Sequence, residues 1–591
     1  MSLLVTLSIL TALNTNNLTP HKYENTHKQS STASSEIANI LPSDTPLVGF
    51  VSTKVEDWKT LNRFALFKTA FTTAASLLPP NVNLELVVQS SLGDKIALVM
   101  MPVKSKKVST DTNFLMLAPV KDDRLFQPFL DNLKANKRQY KGVTILEWKS
   151  LKTVSTPTKA AKSQLQLLPD ISNAKTVASL PTIPLPPQVV QPKPTMPSLP
   201  DLNKREQSLA IALLPGYVAL ASTATPLEQL IDTPRNNTLA QNPNFQRTRQ
   251  NPHFGRSLFT IYENPTLFAS ILDSLSKEPK SSFSIFGIAG IKPEQFKQYS
   301  SIDGLMWVQP SGLHLQFNSY HRKAIAANSS KTNNELLAHI PAPNYSTFTG
   351  RNIQQQWQLI STAFNANPTF KDGLAKFYDS VRSTTKLDVE RDILAWMNGE
   401  YAFFSYPTKQ GLFNSAHNKF NLNLGMGFIV QTSDRTAAET SLKKLGTAIK
   451  SFDKGISITN HNINNKRVTN WSAQQQSLFA YTWIDNKTLL FTTGVSAMTE
   501  LLKHPRHRLA KDYNFTTAIG SLPHPNQGYF YMNMGSSLSW LYNLSPNTFN
   551  TQYFQIFKQS IGSIYSISGT TSTHGNREQS DALIVLAPAR K

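Results

Sequence analysis

Hydrophobic and polar positions alternate in several stretches of the chain. Leu313, Leu315 and Phe317 interleave with His314, Gln316 and Asn318, a period of two that predicts a strand with its apolar side buried. Pro310-Ser311-Gly312 turns the preceding run Leu305-Met-Trp-Val308 into it, so the pair predicts a hairpin. A second hairpin is predicted where Ser208–Leu214 turns at Pro215-Gly216 into Tyr217–Ala221, and a third where Leu478–Ile484 turns at Asp485-Asn486-Lys487 into Leu489–Thr493. Thr225-Pro226-Leu227-Glu228 offers an N-cap Thr, Pro at the first helical position and Glu at the third, a capping box that predicts a helix start. The chain closes on an apolar strand, Ala582–Ala587. Meandering strands with helices against one face define an α+β protein with mainly antiparallel sheet covered on one side.

The same landmarks occur twice, which sets the organisation of the chain. Ile40-Leu41-Pro42 is echoed by His339-Ile340-Pro341, and Ser91-Leu92-Gly93-Asp94 with Ala97 by Trp396 to Ala402 through Gly399-Glu400. Asp123-Arg124 after a strand is echoed by Asp434-Arg435, Val143-Thr144 with Trp148 by Val468-Thr469 with Trp471, and Gln207-Ser208 by Gln476-Ser477. Leu239-Ala-Gln-Asn-Pro-Asn-Phe245 matches Leu509-Ala-Lys-Asp-Tyr-Asn-Phe515. The offset is 323 residues at the tryptophans and 269 at the serines that follow. Residues 151–205, a stretch of 55 with ten prolines, lie between those landmarks in the first copy and account for the drop. The expected architecture is therefore two tandem copies of a sheet-plus-helices unit, spanning 38–326 and 337–591, joined by a polar linker at 327–336. The Pro-rich insert 151–205 cannot donate a regular hydrogen-bond ladder and reads as a solvated excursion or, in the sharper reading, a docking arm.

Composition narrows the classes. The 591 residues give room for roughly three to five domains, and 40% hydrophobic residues supply real cores. The absence of Cys excludes disulfides, thiolate catalysis and cysteine-based metal sites. Apolar runs fall short of the ~18 residues of a spanning helix, which excludes a multi-pass membrane protein. Net charge is +22, enough to draw the chain toward anionic surfaces. The basic residues are dispersed, with Lys134, Lys137, Arg138 and Lys141 the densest group. Neither zinc-finger spacing nor a basic region running into heptads accompanies them, so nucleic acid is not the expected partner. Met1–Leu13 is apolar, of signal-peptide core length, and is followed by a polar tether from Asn14 to Ser35. It lacks a basic flank and an Ala-x-Ala pattern. Segment 1–37 is read as an export or anchor element, with a frayed cytosolic terminus as the plain alternative.

Candidate chemistry is sparse. There is no Gly-x-x-x-x-Gly-Lys loop, no Gly-x-Ser-x-Gly elbow and no His-Glu-x-x-His. Gly425-Met-Gly427 lies in a strand-like run rather than a dinucleotide turn. His504 and His507 are the one pair of His at short spacing, and Pro505 spoils a helical ligand face. Asp94 and Glu400 each follow a Gly at the entry to an apolar strand. Facing each other they would make a general acid–base pair; separately they would be turn acids bonding nearby backbone. The eight tryptophans read as core. The expectation is a non-enzymatic chain with no catalytic, cofactor or metal residues.

Several of these motifs resemble a cyanobacterial family, domain-of-unknown-function family 3352. The resemblance rests on Leu41-Pro-Ser-Asp-Thr-Pro46, Leu92-Gly93-Asp94, Tyr140-Lys-Gly-Val-Thr144, Leu213-Leu-Pro-Gly-Tyr217 and Val308-Gln-Pro310. It rests equally on Trp396 with Gly399-Glu400-Tyr-Ala402 and on Pro523 to Tyr531, and it runs from about residue 38 to the end. It implies a large protein with an N-terminal export or anchor segment, from which the short, unbasic N-terminus here departs. It implies no reaction, ligand or cofactor. The expected role is binding or scaffolding at an anionic thylakoid or plasma membrane, through lipid or a membrane protein. The expected location is the periplasm or the thylakoid lumen side, with the cytoplasm as alternative. Carriage of an apolar ligand such as a lipid or pigment is the second expectation, and a carboxylate hydrolase the third.

Overall fold

Strands rich in β-branched and aromatic residues, punctuated by Gly, Asn and Pro, build one large antiparallel sheet in the computed structural model. The described residues are 37–67, 93–103, 113–120, 135–148, 209–276, 296–325, 332–365, 368–409, 423–473, 476–503, 507–544 and 561–589. The apolar N-terminus, its tether and the Pro-rich insert lie outside them. The first ten strands are β1 (Leu47–Ser52), β2 (Lys95–Met100), β3 (Phe114–Pro119), β4 (Asn136–Tyr140), β5 (Val143–Trp148), β6 (Leu209–Leu214), β7 (Tyr217–Ala221), β8 (Phe259–Glu263), β9 (Tyr299–Gln309) and β10 (Gly312–His321). The last ten are β11 (Ser346–Arg351), β12 (Glu400–Pro407), β13 (Leu424–Gln431), β14 (Ile456–Ile463), β15 (Lys466–Ala473), β16 (Gln476–Trp483), β17 (Thr488–Thr492), β18 (Tyr529–Asn533), β19 (Ile564–His574) and β20 (Arg577–Leu586).

Turn chemistry makes the hairpins. Lys141-Gly142 and Asn464-Asn465 both hold positive φ at two successive residues, the type I′ geometry that matches strand twist, and they join β4 to β5 and β14 to β15. The hairpins expected at Pro215-Gly216, at Pro310–Gly312 and at 485–487 are present as β6–β7, β9–β10 and β16–β17. In space the first half runs β4-β5-β6-β7-β3-β2-β1-β8-β9-β10. From β10 the sheet continues without a break into β20-β19-β18-β11-β12-β13-β17-β16-β15-β14. The join is the antiparallel pair β10–β20, where Gly312 faces Val585 and Tyr320 faces Arg577. The two edges are β4 and β14. The β4 edge, Asn-Lys-Arg-Gln-Tyr, is almost wholly exposed, and its charges discourage strand addition.

One face of this sheet carries the two largest cores. At one end Val48, Phe50, Val99, Leu117 and Tyr262 pack under the helices Ala224–Ile231 and Pro243–Arg249. At the other end Phe404, Ile429, Leu490 and Tyr531 pack under the helices Val495–Lys503 and Tyr513–Ile519. Phe245 and Phe515 anchor one helix at each end and are fully buried. Both helices start on a side-chain cap: the Asn242 side chain accepts from the Asn244 and Phe245 amides, and Asp512 accepts from Phe515.

Three expectations are corrected. The strand β10 also buries its polar side: His314, Gln316 and Asn318 are buried, whereas of the apolar side Leu313 is buried, Leu315 part-buried and Phe317 48% exposed. Burial of those polar groups is tolerated because they bond one another and two acids. Asp581 accepts from His314 Nε2 (2.8 Å), Gln316 (3.1 Å) and Gln579 (2.7 Å), and Asp303 accepts from Asn318 (2.7 Å) and Thr248 (2.8 Å). Trp307 is stacked between His253 and His314, at 4.0 and 4.2 Å between ring centres. Burial raises the Asp303 carboxyl above its usual range, against the pull of the bonds from Asn318 and Thr248. Second, helices cover both faces of the second half. Ile353–Asn365, Pro368–Thr385 and Arg435–Phe452 lie over the opposite side of β12, β13, β16 and β17 around Trp396, Tyr401 and Phe491. Third, the helix Ala224–Ile231 is capped at Thr223 rather than Thr225 and receives no side-chain bond there; Pro226 stands at its third position and has no N–H to donate, and Glu228 pairs with Arg138. Among the described residues no helix is long and apolar enough to cross a membrane.

Truncating Asp581 to Ala strips two buried donors, His314 and Gln316, and the part-buried Gln579 of their acceptor. Urea unfolding should show a loss of about 3 kcal/mol or more, with Asp581→Asn losing less; an unchanged midpoint would show the network to be energetically idle.

Candidate functional site

The two acids singled out by sequence do not meet. Asp94 forms an ion pair with Lys54 at 3.2 Å. Glu400 is 3% exposed, and its carboxylate accepts the backbone N–H groups of Asn333, Asn334 (3.1 Å) and Glu335 (3.0 Å). It therefore latches the segment entering the second half to the start of β12, a backbone-binding role at long range rather than within a local turn. Their strands β2 and β12 stand nine pairings apart, on the order of 40 Å along the sheet. His504 lies outside the described residues, and among those described no cluster of three or more His, Asp or Glu is placed to hold a metal. Trp148, Trp307, Trp396 and Trp471 are core, whereas Trp58, Trp357, Trp483 and Trp540 are half-buried.

Two isolated groups have displaced titrations. Lys95 is buried, donates to the Phe254 carbonyl at 2.7 Å and sits 4.6 Å over the Phe254 ring. Burial, helped by Lys54, pushes it down to about 8. Its bonds tie residues 254–257 to β2, a structural task. Glu263, at the end of β8, has a buried Oε1 without a hydrogen-bond partner among the described residues, and burial pushes it up to about 7.

The feature with the makings of a binding site lies at the β14 end of the sheet. A groove of about 720 Å³ opens between the helix Arg435–Phe452 and strands β14 to β16. Asp434 starts that helix by accepting from the Ala437 amide. Gly446 lets it approach the sheet, since a Cβ there would come 3.1 Å from Ile458 Cδ1. The floor is aromatic: Trp471, Tyr481 and Trp483. A β-bulge between Trp471 and Ser472 breaks the register of β15 at the floor. The walls carry Arg435, Lys443, Lys450, Lys466 and Arg467 against Glu439 and Asp485. Several of these charges are occupied. Arg435 stacks 4.4 Å over Trp483 and bonds Glu439 at 2.8 Å, and Lys466 donates to the Ile484 carbonyl at 2.7 Å. Burial would raise Asp485, but bonds from the Lys487 and Thr488 amides outweigh it and hold its carboxyl below the usual range. Lys443 and Lys450 have no ion-pair partner among the described residues. Trp471 is 6% exposed, and its Nε1–H has no acceptor among the described residues. Sequence reading pooled these cations with the dispersed charge. The signal that would have found them is the four-residue spacing of Arg435, Glu439 and Lys443, followed by Lys450, beside the alternation of Tyr481 and Trp483.

A family model described as a protein of unknown function (DUF3352) matches residues 1–586, so the chain belongs to that family. No curated protein matches the sequence. Among solved structures, crystal form IV of TP0453 is similar at a TM-score of 0.23 and 6% identity, over 48% of this chain and 79% of that one. Crystal form III of TP0453 gives 0.21 and 12%, over 43% and 81%. At such scores the likeness stops short of a common fold.

Two outcomes follow from Glu400 and Glu263. Replacing Glu400 with Ala should speed hydrogen exchange at the Asn333–Glu335 amides at least about tenfold; unchanged protection would mean the latch is dispensable. For Glu263, the folded state keeps a proton between the ordinary carboxyl value of 4.5 and about 7 that the unfolded chain has lost. Stability therefore falls as pH rises through that window and levels off above it. Glu263→Gln should flatten the dependence of the unfolding midpoint between pH 5 and 8 and be the more stable protein at pH 8.

Proposed function

We propose that this is a non-enzymatic binding or scaffolding protein that works at an anionic membrane, thylakoid or plasma, as an exported or membrane-associated chain. The observation that carries the reading is the groove beside β14, where cations outnumber acids five to two and Lys443 and Lys450 are left for an external anion. The net charge of +22 adds a long-range attraction to the same kind of surface.

The chain is further read as two tandem copies of one α+β unit. Support comes from the strand order: subtracting ten from each label of the second half gives the order of the first half. It also comes from the matched type I′ turns at Lys141-Gly142 and Asn464-Asn465, and from the capped helices around Phe245 and Phe515. In this reading β10 and β20 are the same strand of each copy, and their pairing relates the copies by a local twofold.

A second reading, carriage of an apolar ligand such as a lipid or pigment, is favoured by one observation. Phe530, Phe348 and Phe403 stand directly opposite one another across β18, β11 and β12, and are 39%, 46% and 44% exposed. Native mass spectrometry of protein purified from its own cells separates the readings, since a carrier retains a small molecule and a membrane scaffold gives a clean apo mass.

The leading reading predicts flotation with phosphatidylglycerol vesicles and not with phosphatidylcholine vesicles. Binding should fall at least about tenfold between low salt and 0.5 M salt, as screening shortens the reach of surface charge. Equal flotation with both lipids, or indifference to salt, overturns it.

A further inference from the structure

We infer that the groove between the helix Arg435–Phe452 and strands β14 to β16 is a site for an amphiphilic anion, a phosphate or carboxylate headgroup joined to an apolar body. The inference rests on the binding reading above and names the chemistry of its ligand. Its volume of about 720 Å³ suits a small-molecule site rather than a protein segment. The charge selects the sign of the ligand. Arg435 is turned onto Trp483 and Glu439, and Lys466 onto a carbonyl, so Lys443 and Lys450 remain on one helix wall, two turns long, with donors to spare. Arg467 faces them from β15, bonded only to a neutral Asn460 side chain at 3.3 Å.

The floor selects the body of the ligand. Trp471, Tyr481 and Trp483 give the groove an aromatic floor that suits an acyl chain or a flat ring, and a free inorganic anion would leave that surface wet. Trp471 is more than nine-tenths buried beneath it, and Arg435 stacks over Trp483, so Tyr481 and the aliphatic stems of the lysines supply the rest of the apolar contact. Gly446 fits the close approach of the helix to the sheet: a Cβ there would come 3.1 Å from Ile458 Cδ1, tighter than an ordinary contact.

The test uses the full chain and isothermal titration calorimetry with dodecyl phosphate below its micelle concentration, inorganic phosphate and neutral decyl maltoside. Wild type should bind dodecyl phosphate at least about tenfold more tightly than either other probe. Lys443→Gln/Lys450→Gln should lose at least about tenfold of that affinity. Lys444→Gln/Lys454→Gln, which removes the same charge from exposed positions outside the groove, should bind as wild type does. No binding of dodecyl phosphate, equal loss in both double variants, or inorganic phosphate binding as tightly, overturns the inference. Phosphatidylglycerol vesicles identify the source of the headgroup. If vesicles bind both double variants alike and dodecyl phosphate does too, the membrane reading stands and the groove inference falls. If dodecyl phosphate binding depends on Lys443 and Lys450 while wild type ignores vesicles, the groove takes a soluble amphiphile and the membrane reading falls.

Discussion

The pairing of β10 with β20 is the contact on which the rest of the molecule depends. Each strand ends a ten-strand array, and without the other each would expose a full edge of unpaired backbone groups. Nine opposed residue pairs close that gap. What holds the strands in this register is polar rather than apolar. Asp581 on β20 takes bonds from His314 and Gln316 on β10, so a slip of one residue would put Asp581 on the opposite face from both and leave buried donors without an acceptor. Apolar side chains tolerate such a shift with modest loss, whereas a charge buried beside an imidazole does not. The core on either side then grows outward from a seam fixed by hydrogen bonds.

That arrangement also explains where binding surface is found. The central strands have their inner face filled by the seam and the two cores, and the strands near it leave Phe317, Phe348, Phe403 and Phe530 part-exposed on the outer face. At the β14 end a long helix lies against the outer face and leaves a groove. Gly446 suits the close approach, and the bulge at Trp471 interrupts the pleat beneath it. Charge then accumulates on the helix because its outward side is solvated anyway, so the cations there need no buried counter-ions.

How much of this could be read from sequence follows the range of the interactions involved. The hairpins at Pro215-Gly216, at Pro310–Gly312 and at 485–487 were legible because turn residues act within a few positions. The inward face of β10 was not, because the partner that makes His314 and Gln316 acceptable in the interior is Asp581, more than 260 residues away. The cap at Thr225 failed because the helix begins at Ala224, earlier than the Thr-Pro-Leu-Glu pattern indicates, and Glu228 pairs with Arg138 on the β4 edge. Asp94 and Glu400 were found as a recurring pair, and the recurrence told of equivalent places in the chain rather than of proximity in space. The groove was missed because its lining is spread from Arg435 to Asn486 over a helix and three strands, and no single window contains its chemistry.

The groove borders the one strand of its half that has a neighbour on a single side. Among the described residues strand β14 pairs with β15 alone, so local opening costs less there than at strands nearer the seam. A molecule that spans from the helix to β15 would fasten this margin of the sheet as it binds. Occupancy of the groove and closure of the margin are then one equilibrium, and the affinity measured for any ligand already includes the work of ordering the strand beside it.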